Sequence, residues 1–206
     1  MLYVEDEITR LELATLIIES GLVPLNKNTK AYKEIKDYKL LSEEDRIIIG
    51  TLMDLGIMEA YADNTFKANN PILMDEMIKI FAKLTEYISG SKLLTKVSPY
   101  IYEDILKDSY GDLVENKYFI MELIRQNVIS MEDINVDKYA TRLDAISILN
   151  TLTYREETTN NVPENGFDYA DVLPEVTYFW DIVTALEDYM YTYNSKLEQV
   201  IIKYED

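Results

Sequence analysis

The chain contains no cysteine and no histidine. Without them there is no thiolate nucleophile, no Ser-His-Asp relay, no thiolate or imidazole zinc site and no disulfide framework. Basic residues are scarce: 20 Lys and Arg stand against 38 Asp and Glu, a formal net charge of −18. That field repels phosphate backbones and anionic lipid, which argues against nucleic acid and membrane surfaces as partners. The six glycines are scattered, so there is no Gly-rich phosphate loop. No apolar run reaches membrane-spanning length, and the acidic start, residues 1–7, lacks the apolar core of a secretory signal. The expectation is no membrane insertion.

What remains is carboxylate, hydroxyl and Arg/Lys chemistry on a chain that is 48% apolar. At 206 residues it makes one large or two small domains and can bury roughly 70% of its unfolded surface. With 38 acids, carboxylate pairs of glycosidase type can be drawn almost anywhere and identify nothing. The reading is therefore a protein that is not an enzyme and uses no cofactor.

A repeat organises the chain. An aliphatic or aromatic residue, any residue, then Asp recurs as Ile35-Lys36-Asp37, Tyr102-Glu103-Asp104 and Tyr169-Ala170-Asp171, at spacings of 67 and 67. After the first two markers the apolar pattern predicts amphipathic helices over Ser42–Leu55 and Asp112–Gln126. Each closes on a residue that tolerates left-handed backbone followed by two apolar ones, Gly56-Ile57-Met58 and Asn127-Val128-Ile129. A second helix start recurs as Thr9-Arg10-Leu11-Glu12 and Thr141-Arg142-Leu143-Asp144, 132 residues apart. In both, the hydroxyl and the acid three residues on fit a capping box. Pro71-Ile72-Leu73-Met74-Asp75-Glu76 fills the middle place, with Asn70-Pro71 as the expected cap and first position. Seven residues before each Thr-equivalent stands Leu2, Phe66 or Ile134.

The chain thus divides into a half-repeat (1–22), two full repeats (31–86 and 99–153) and a second half-repeat (166–192). The expectation is one mainly all-α domain over 1–192, three helix pairs in a closed pseudo-threefold arrangement, with the N-terminal helix beside the C-terminal one and Leu16 near Ile182. Leu197, Val200, Ile201 and Tyr204 predict an extra amphipathic helix within 193–206.

The stretch from Gly56 to Ile72, GIMEAYADNTFKANNPI, resembles the S-layer homology (SLH) repeat, whose pattern is roughly GI-x-x-G-Y-x-D-G-T-F-R-P-N-x-x-I-T-R-A-E. With the Thr-Arg helix starts and the marker acids, the resemblance covers nearly all of residues 1–190. It implies helix pairs around a pseudo-threefold spindle and an extracellular, cell-surface role, anchoring a protein to an anionic secondary cell-wall polysaccharide. It also implies that Arg10 and Arg142 line inter-repeat grooves that hold an acidic sugar, with Asp37, Asp104 and Asp171 at the groove edges. Trp180 is then either a sugar platform or core. A guanidinium beside the unpaired amides of a helix N-terminus would suit a carboxylate. This chain departs from the pattern at Leu73 and Met74, which stand for the motif Thr and Arg, at Asn64 for the turn Gly and at Ala68 for the Pro.

Two other readings stand beside this one. A divergent SLH-like scaffold would bind another surface protein instead of sugar. Separately, Asp133, Asn135, Asp137 and Asp144, with a carbonyl between, fall at the ligand spacing of a calcium loop. Lys138 replaces the turn Gly of such a loop and Asp144 its long Glu, and the SLH alignment explains the same residues as a turn feeding a capped helix.

Overall fold

The computed structural model describes residues 3–90, 92, 117–130, 137–153, 189–193 and 199–203. Those residues are mainly helical: α1 (Arg10–Glu19), α2 (Glu43–Asp54), α3 (Met74–Ser89), α4 (Lys117–Arg125) and α5 (Arg142–Leu152), with short 3-10 turns at Ala31–Glu34 and Tyr38–Leu40.

Three of the described helices begin where local chemistry dictates. Thr9, Ser42 and Thr141 are N-caps whose hydroxyls accept from the amides of Glu12, Asp45 and Asp144, and those three acids accept in return from the cap amides. All three are capping boxes. At the start of α3 the expected Asn70-Pro71 cap is not used. The N-cap is Leu73, which has no polar side chain, and half of the box survives as Glu76 accepting from the Leu73 amide at 3.4 Å. Pro71 instead lies in a β-bridge to Thr9, where no proline N–H is required, because the bonds around it run through Ile72 and Asn70. Gly56 (φ 66°) and Asn127 (φ 56°) take the left-handed backbone that ends α2 and α4, as their residue types predict. Ile57 then donates to Leu52, Val128 to Leu123, and both turns fold back on the core.

The helices are organised by three short extended segments, 7–9, 71–73 and 139–141. Thr9 bridges Pro71, Leu73 bridges Tyr139 and Thr141 bridges Glu7. At the centre the amide of Ile8 donates to the carbonyl of Ala140 (2.8 Å), Ala140 to Ile72 (2.9 Å) and Ile72 to Ile8 (3.0 Å), closing a ring of three backbone hydrogen bonds. The side chains of Ile8, Ile72 and Ala140 are wholly buried. From this ring α1, α3 and α5 run outward, and their first amides bond the neighbouring segment: Arg10 to Asn70, Met74 to Lys138, Arg142 to Asp6.

The main packing contacts join α1 to α2 and α3 to α4, while α5 touches both α1 and α3. Helix α2 therefore packs on the helix before it in the chain, so the spatial pair crosses the boundary expected between residues 22 and 31. The core comprises one face of each helix, including Leu13 and Ile17 of α1, Ile49 and Leu52 of α2, Ile78 and Phe81 of α3, Ile120 and Leu123 of α4 and Leu149 of α5. Phe66, picked out by its spacing from the helix starts, is wholly buried.

One expectation fails at the C-terminal end. Gln199–Lys203 is a strand, β2, paired antiparallel with β1 (Tyr189–Tyr193), where a helix was expected within 193–206. Val200-Ile201-Ile202 is a run of β-branched residues, which lose side-chain freedom in a helix and fit a pleated surface. Ile182, and with it the expected neighbour of Leu16, lies outside the described residues, as do Leu2 and Ile134.

Candidate functional site

Arg10 opens α1 and points inward. Only 4% of the residue is exposed. Its guanidinium lies between two rings, 4.4 Å from the centroid of Tyr61 and 4.7 Å from that of Phe66. Nη2 donates to the carbonyl of Glu59 at 2.7 Å, and Nη1 stands 4.0 Å from the carboxylate of Glu76. Glu76 in turn accepts from the Tyr61 hydroxyl at 3.2 Å. Burial pushes the Tyr61 phenol above its ordinary range; the Arg10 charge opposes that rise and the Glu76 carboxylate adds to it. A guanidinium clasped between two aromatic faces gains from both cation–π attraction and planar stacking, so this arginine holds the 59–66 loop against α1 and α3.

Arg142, its equivalent on α5, is more open, its side chain 28% exposed. Nη2 donates to Glu12 at 2.5 Å, Nη1 donates to the carbonyl of Tyr3 at 3.1 Å, and the Asp6 carboxylate lies 3.6 Å away. Burial alone would raise the Glu12 carboxyl, but the Arg142 hydrogen bond, the Thr9 amide and hydroxyl, and the Arg142 charge together hold it below the usual carboxylate range.

The two arginines obey one rule. Each reaches from the first position of its helix to the third-position acid of the next helix around the ring: Arg10 to Glu76, Arg142 to Glu12. Those acids also cap their own helices, a role the sequence pattern gives for Glu12 alone. At the third junction Met74 is buried where a guanidinium would be, and Asp144 bonds only Thr141 among the contacts described, through its amide and hydroxyl, both at 2.7 Å.

The helix N-termini are not open to an anion, contrary to the expectation of unpaired amides beside each arginine. In α1 the amides of Arg10 and Leu11 donate to Asn70 and Ala68, and in α5 those of Arg142 and Leu143 donate to Asp6 and Val4. The third amide of each goes to the cap hydroxyl. Every early donor that a carboxylate would use is already satisfied.

Asp37 works from the opening of its repeat but holds backbone. Its two carboxylate oxygens accept from the amides of Phe66 and Lys67, each at 2.9 Å. That grip fixes a turn in which Asn64 and Lys67 both have left-handed backbone, φ 59° and 54°. Asp63 shapes the same turn by accepting from the amide and hydroxyl of Thr65. Arg10 and Asp37 thus both hold one loop, residues 59–67. Asp104, Asp171 and Trp180 lie outside the described residues.

Of the calcium candidates, Asp133 and Asn135 lie outside the described residues. Asp137 is exposed and Asp144 is committed to its helix cap. Among the described residues no group of three acids is placed to hold a metal, and no helix is long and apolar enough to cross a membrane. Sequence reasoning missed Glu59, Tyr61 and Glu76 as partners of Arg10; the signal for Tyr61 was its place in the SLH-like turn. Comparison of the chain with models of known families and with curated proteins finds no match to either.

Proposed function

We propose that this chain is a non-catalytic cell-envelope module of SLH-like architecture, which attaches a bacterial surface protein to anionic secondary cell-wall polysaccharide. The observation that supports it is the closed backbone ring of Ile8, Ile72 and Ala140, which relates three helix starts that the sequence had already aligned. On this reading the ring is the hub of a pseudo-threefold domain of three helix pairs, and its junctions are the sugar-facing grooves. They are unequal. Arg10 is sequestered and Met74 carries no charge, so Arg142 at the junction of α5 and α1 is the residue assigned to an acidic sugar, in competition with Glu12 and Asp6. Capture by one partly exposed guanidinium on a −18 chain is salt-sensitive, because the surrounding field repels the polymer over about 8 Å at physiological ionic strength.

A second reading is a scaffold for another surface protein, the sugar site having decayed. The junction of α3 and α5 favours it: the bridged pair Leu73 and Tyr139 is 38% and 49% exposed, an apolar surface where the other two junctions carry Thr9 beside Pro71 and Thr141 beside Glu7. Pull-down on purified cell walls separates the two. Binding by the wild type that falls at least several-fold in Arg142→Ala supports the first; absence of wild-type binding rejects it.

A further inference from the structure

We propose that the strap formed by residues 26–41 is a binding surface for a linear phosphate polymer, held by an outward column of Lys27, Lys30, Lys33 and Lys39. This surface is separate from the Arg142 junction and does not depend on the anchoring reading.

Lysine recurs in the strap at every third position, from Lys27 through Lys30, Lys33 and Lys36 to Lys39, and all five are exposed. A second series with the same step, Thr29, Tyr32, Ile35, Tyr38 and Leu41, turns inward: Thr29, Ile35 and Leu41 are buried and the two tyrosines partly so. A step of three is the period of the 3-10 helix, which the strap adopts at Ala31–Glu34 and again at Tyr38–Leu40. The strap rests on α2: the amide of Asn26 donates to Thr51 Oγ1 at 3.1 Å, and the Tyr38 carbonyl accepts from Arg46 Nε at 2.9 Å. Seating the inner series leaves the lysines on the solvent side.

Their charge is not used within the described fold. Lys67, Lys79 and Lys83 stand 3.5, 3.6 and 3.0 Å from a carboxylate. Among the described residues no acid pairs with any of the five strap lysines, and only Lys36 has its ammonium engaged, donating to the Asp63 carbonyl at 2.7 Å. Five lysines against Glu34 and Asp37 give the strap a local charge of +3 on a chain of −18. Asp37 is occupied by the amides of Phe66 and Lys67, which leaves Glu34 as the one exposed acid of the strap. Distant acids are screened beyond about 8 Å at physiological salt, so an anion at the strap meets the local sign.

The kind of anion follows from the side chains. Lysine is a hydrated point charge without the planar fork of arginine, so a column of lysines suits phosphates approached from any side better than planar carboxylates. A single-stranded nucleic acid would also need open ring faces for its bases. Here the Arg46 guanidinium lies 5.6 Å from the Tyr38 ring centroid and Tyr32 lies 6.0 Å from Tyr38, so the rings serve the strap itself. A flat anionic membrane would meet the exposed Glu43 and Glu44 directly beyond the column, and a protein partner would need a wider apolar centre than the exposed Leu40 offers. A narrow thread of phosphates avoids both demands and binds by releasing its counterions.

The test is calorimetric titration of the full chain with long-chain inorganic polyphosphate. The wild type should bind, with affinity falling at least about tenfold between about 50 and about 200 mM salt. Replacing Lys27, Lys30, Lys33 and Lys39 together by Gln should weaken binding at least about tenfold. A control with Lys79, Lys83, Lys92 and Lys138 replaced by Gln removes the same four charges and should bind as the wild type does. No wild-type binding, or an equal loss in both variants, would overturn the proposal. So would tighter binding to polygalacturonate, single-stranded DNA or phosphatidylglycerol vesicles than to polyphosphate. Should the fourfold variant lose the wild-type helical circular dichroism, Lys27→Gln with Lys30→Gln and Lys33→Gln with Lys39→Gln are read instead, each expected to take about half of the loss on a logarithmic scale. Arg142→Ala should leave polyphosphate binding unchanged, so failed wall binding removes the anchoring function without touching this surface, and failed polyphosphate binding does the reverse.

Discussion

The Arg142 guanidinium of α5 donates to the Glu12 carboxylate of α1 at 2.5 Å, tying together residues 130 positions apart. The same carboxylate accepts from the Thr9 amide at 2.8 Å, so one side chain both starts a helix and closes the ring between the first and last described helices.

Both partners are partly exposed, and the pair is therefore weak in isolation. A double-mutant cycle of Glu12→Ala and Arg142→Ala should return a coupling of about 0.5–1 kcal/mol in chemical denaturation, shrinking in high salt. Because folding lowers the Glu12 pKa, its ionised form stabilises the native state above the ordinary carboxylate value, and that contribution is lost as pH falls through the lower folded value. Wild-type stability should drop over this acid range by more than that of Glu12→Gln; equal pH profiles would refute the assignment.

Arg10 is a different case, since it is buried and several groups depend on it. Arg10→Ala should destabilise by about 3 kcal/mol, leaving a cavity between Tyr61 and Phe66 and removing the donor that satisfies the Glu59 carbonyl. Arg10→Met should cost less, because methionine already fills the equivalent place at position 74. Thermal melts of the two variants rank them, and an Arg10→Met as unstable as Arg10→Ala would break the equivalence of the junctions.

Gly50 lies inside α2, where a Cβ would stand 2.7 Å from both Cγ2 and Oγ1 of Thr29 and 3.2 Å from Cδ1 of Tyr32. Gly50→Ala gains helix propensity yet should destabilise by about 1–3 kcal/mol, because the overlapped atoms sit on the short, branched Thr29 side chain and cannot swing clear. Adding Thr29→Ala should recover part of the loss. Additive effects in denaturant titration would exclude the clash.

Asp37 grips the amides of Phe66 and Lys67, so Asp37→Ala should cost about 1.5–3 kcal/mol and loosen the 59–67 loop. Asp37→Asn keeps one acceptor of the two and should fall between. Amide hydrogen exchange at Phe66 and Lys67 is the readout, and unchanged protection in Asp37→Ala would contradict the role.

The sequence alone was enough for whatever is local. Thr9 and Thr141 with their acids three residues on give two helix starts, and Gly56 and Asn127 give two of the ends, because capping and left-handed backbone are settled by neighbours within one turn. Where the local signal was ambiguous it misled: Asn70-Pro71 looked like a cap and proved to be a bridge, and the 3.6-residue spacing across Leu197–Tyr204 concealed a β-branched strand.

Only the tertiary structure decided what each candidate residue contacts. Arg10 and Arg142 have the same motif and the same place on a helix, yet one is clasped between Tyr61 and Phe66 and the other is partly exposed beside Glu12 and Asp6. That difference arises from the chain that crosses them, the 59–66 loop over Arg10 and residues 3–6 beside Arg142, which lie 49 to 139 positions away. The closure of the ring was settled at the same level. Periodicity could count three helix starts, but hydrogen bonds between Ile8, Ile72 and Ala140 exist only after segments more than 60 residues apart have met, and no local propensity encodes that meeting.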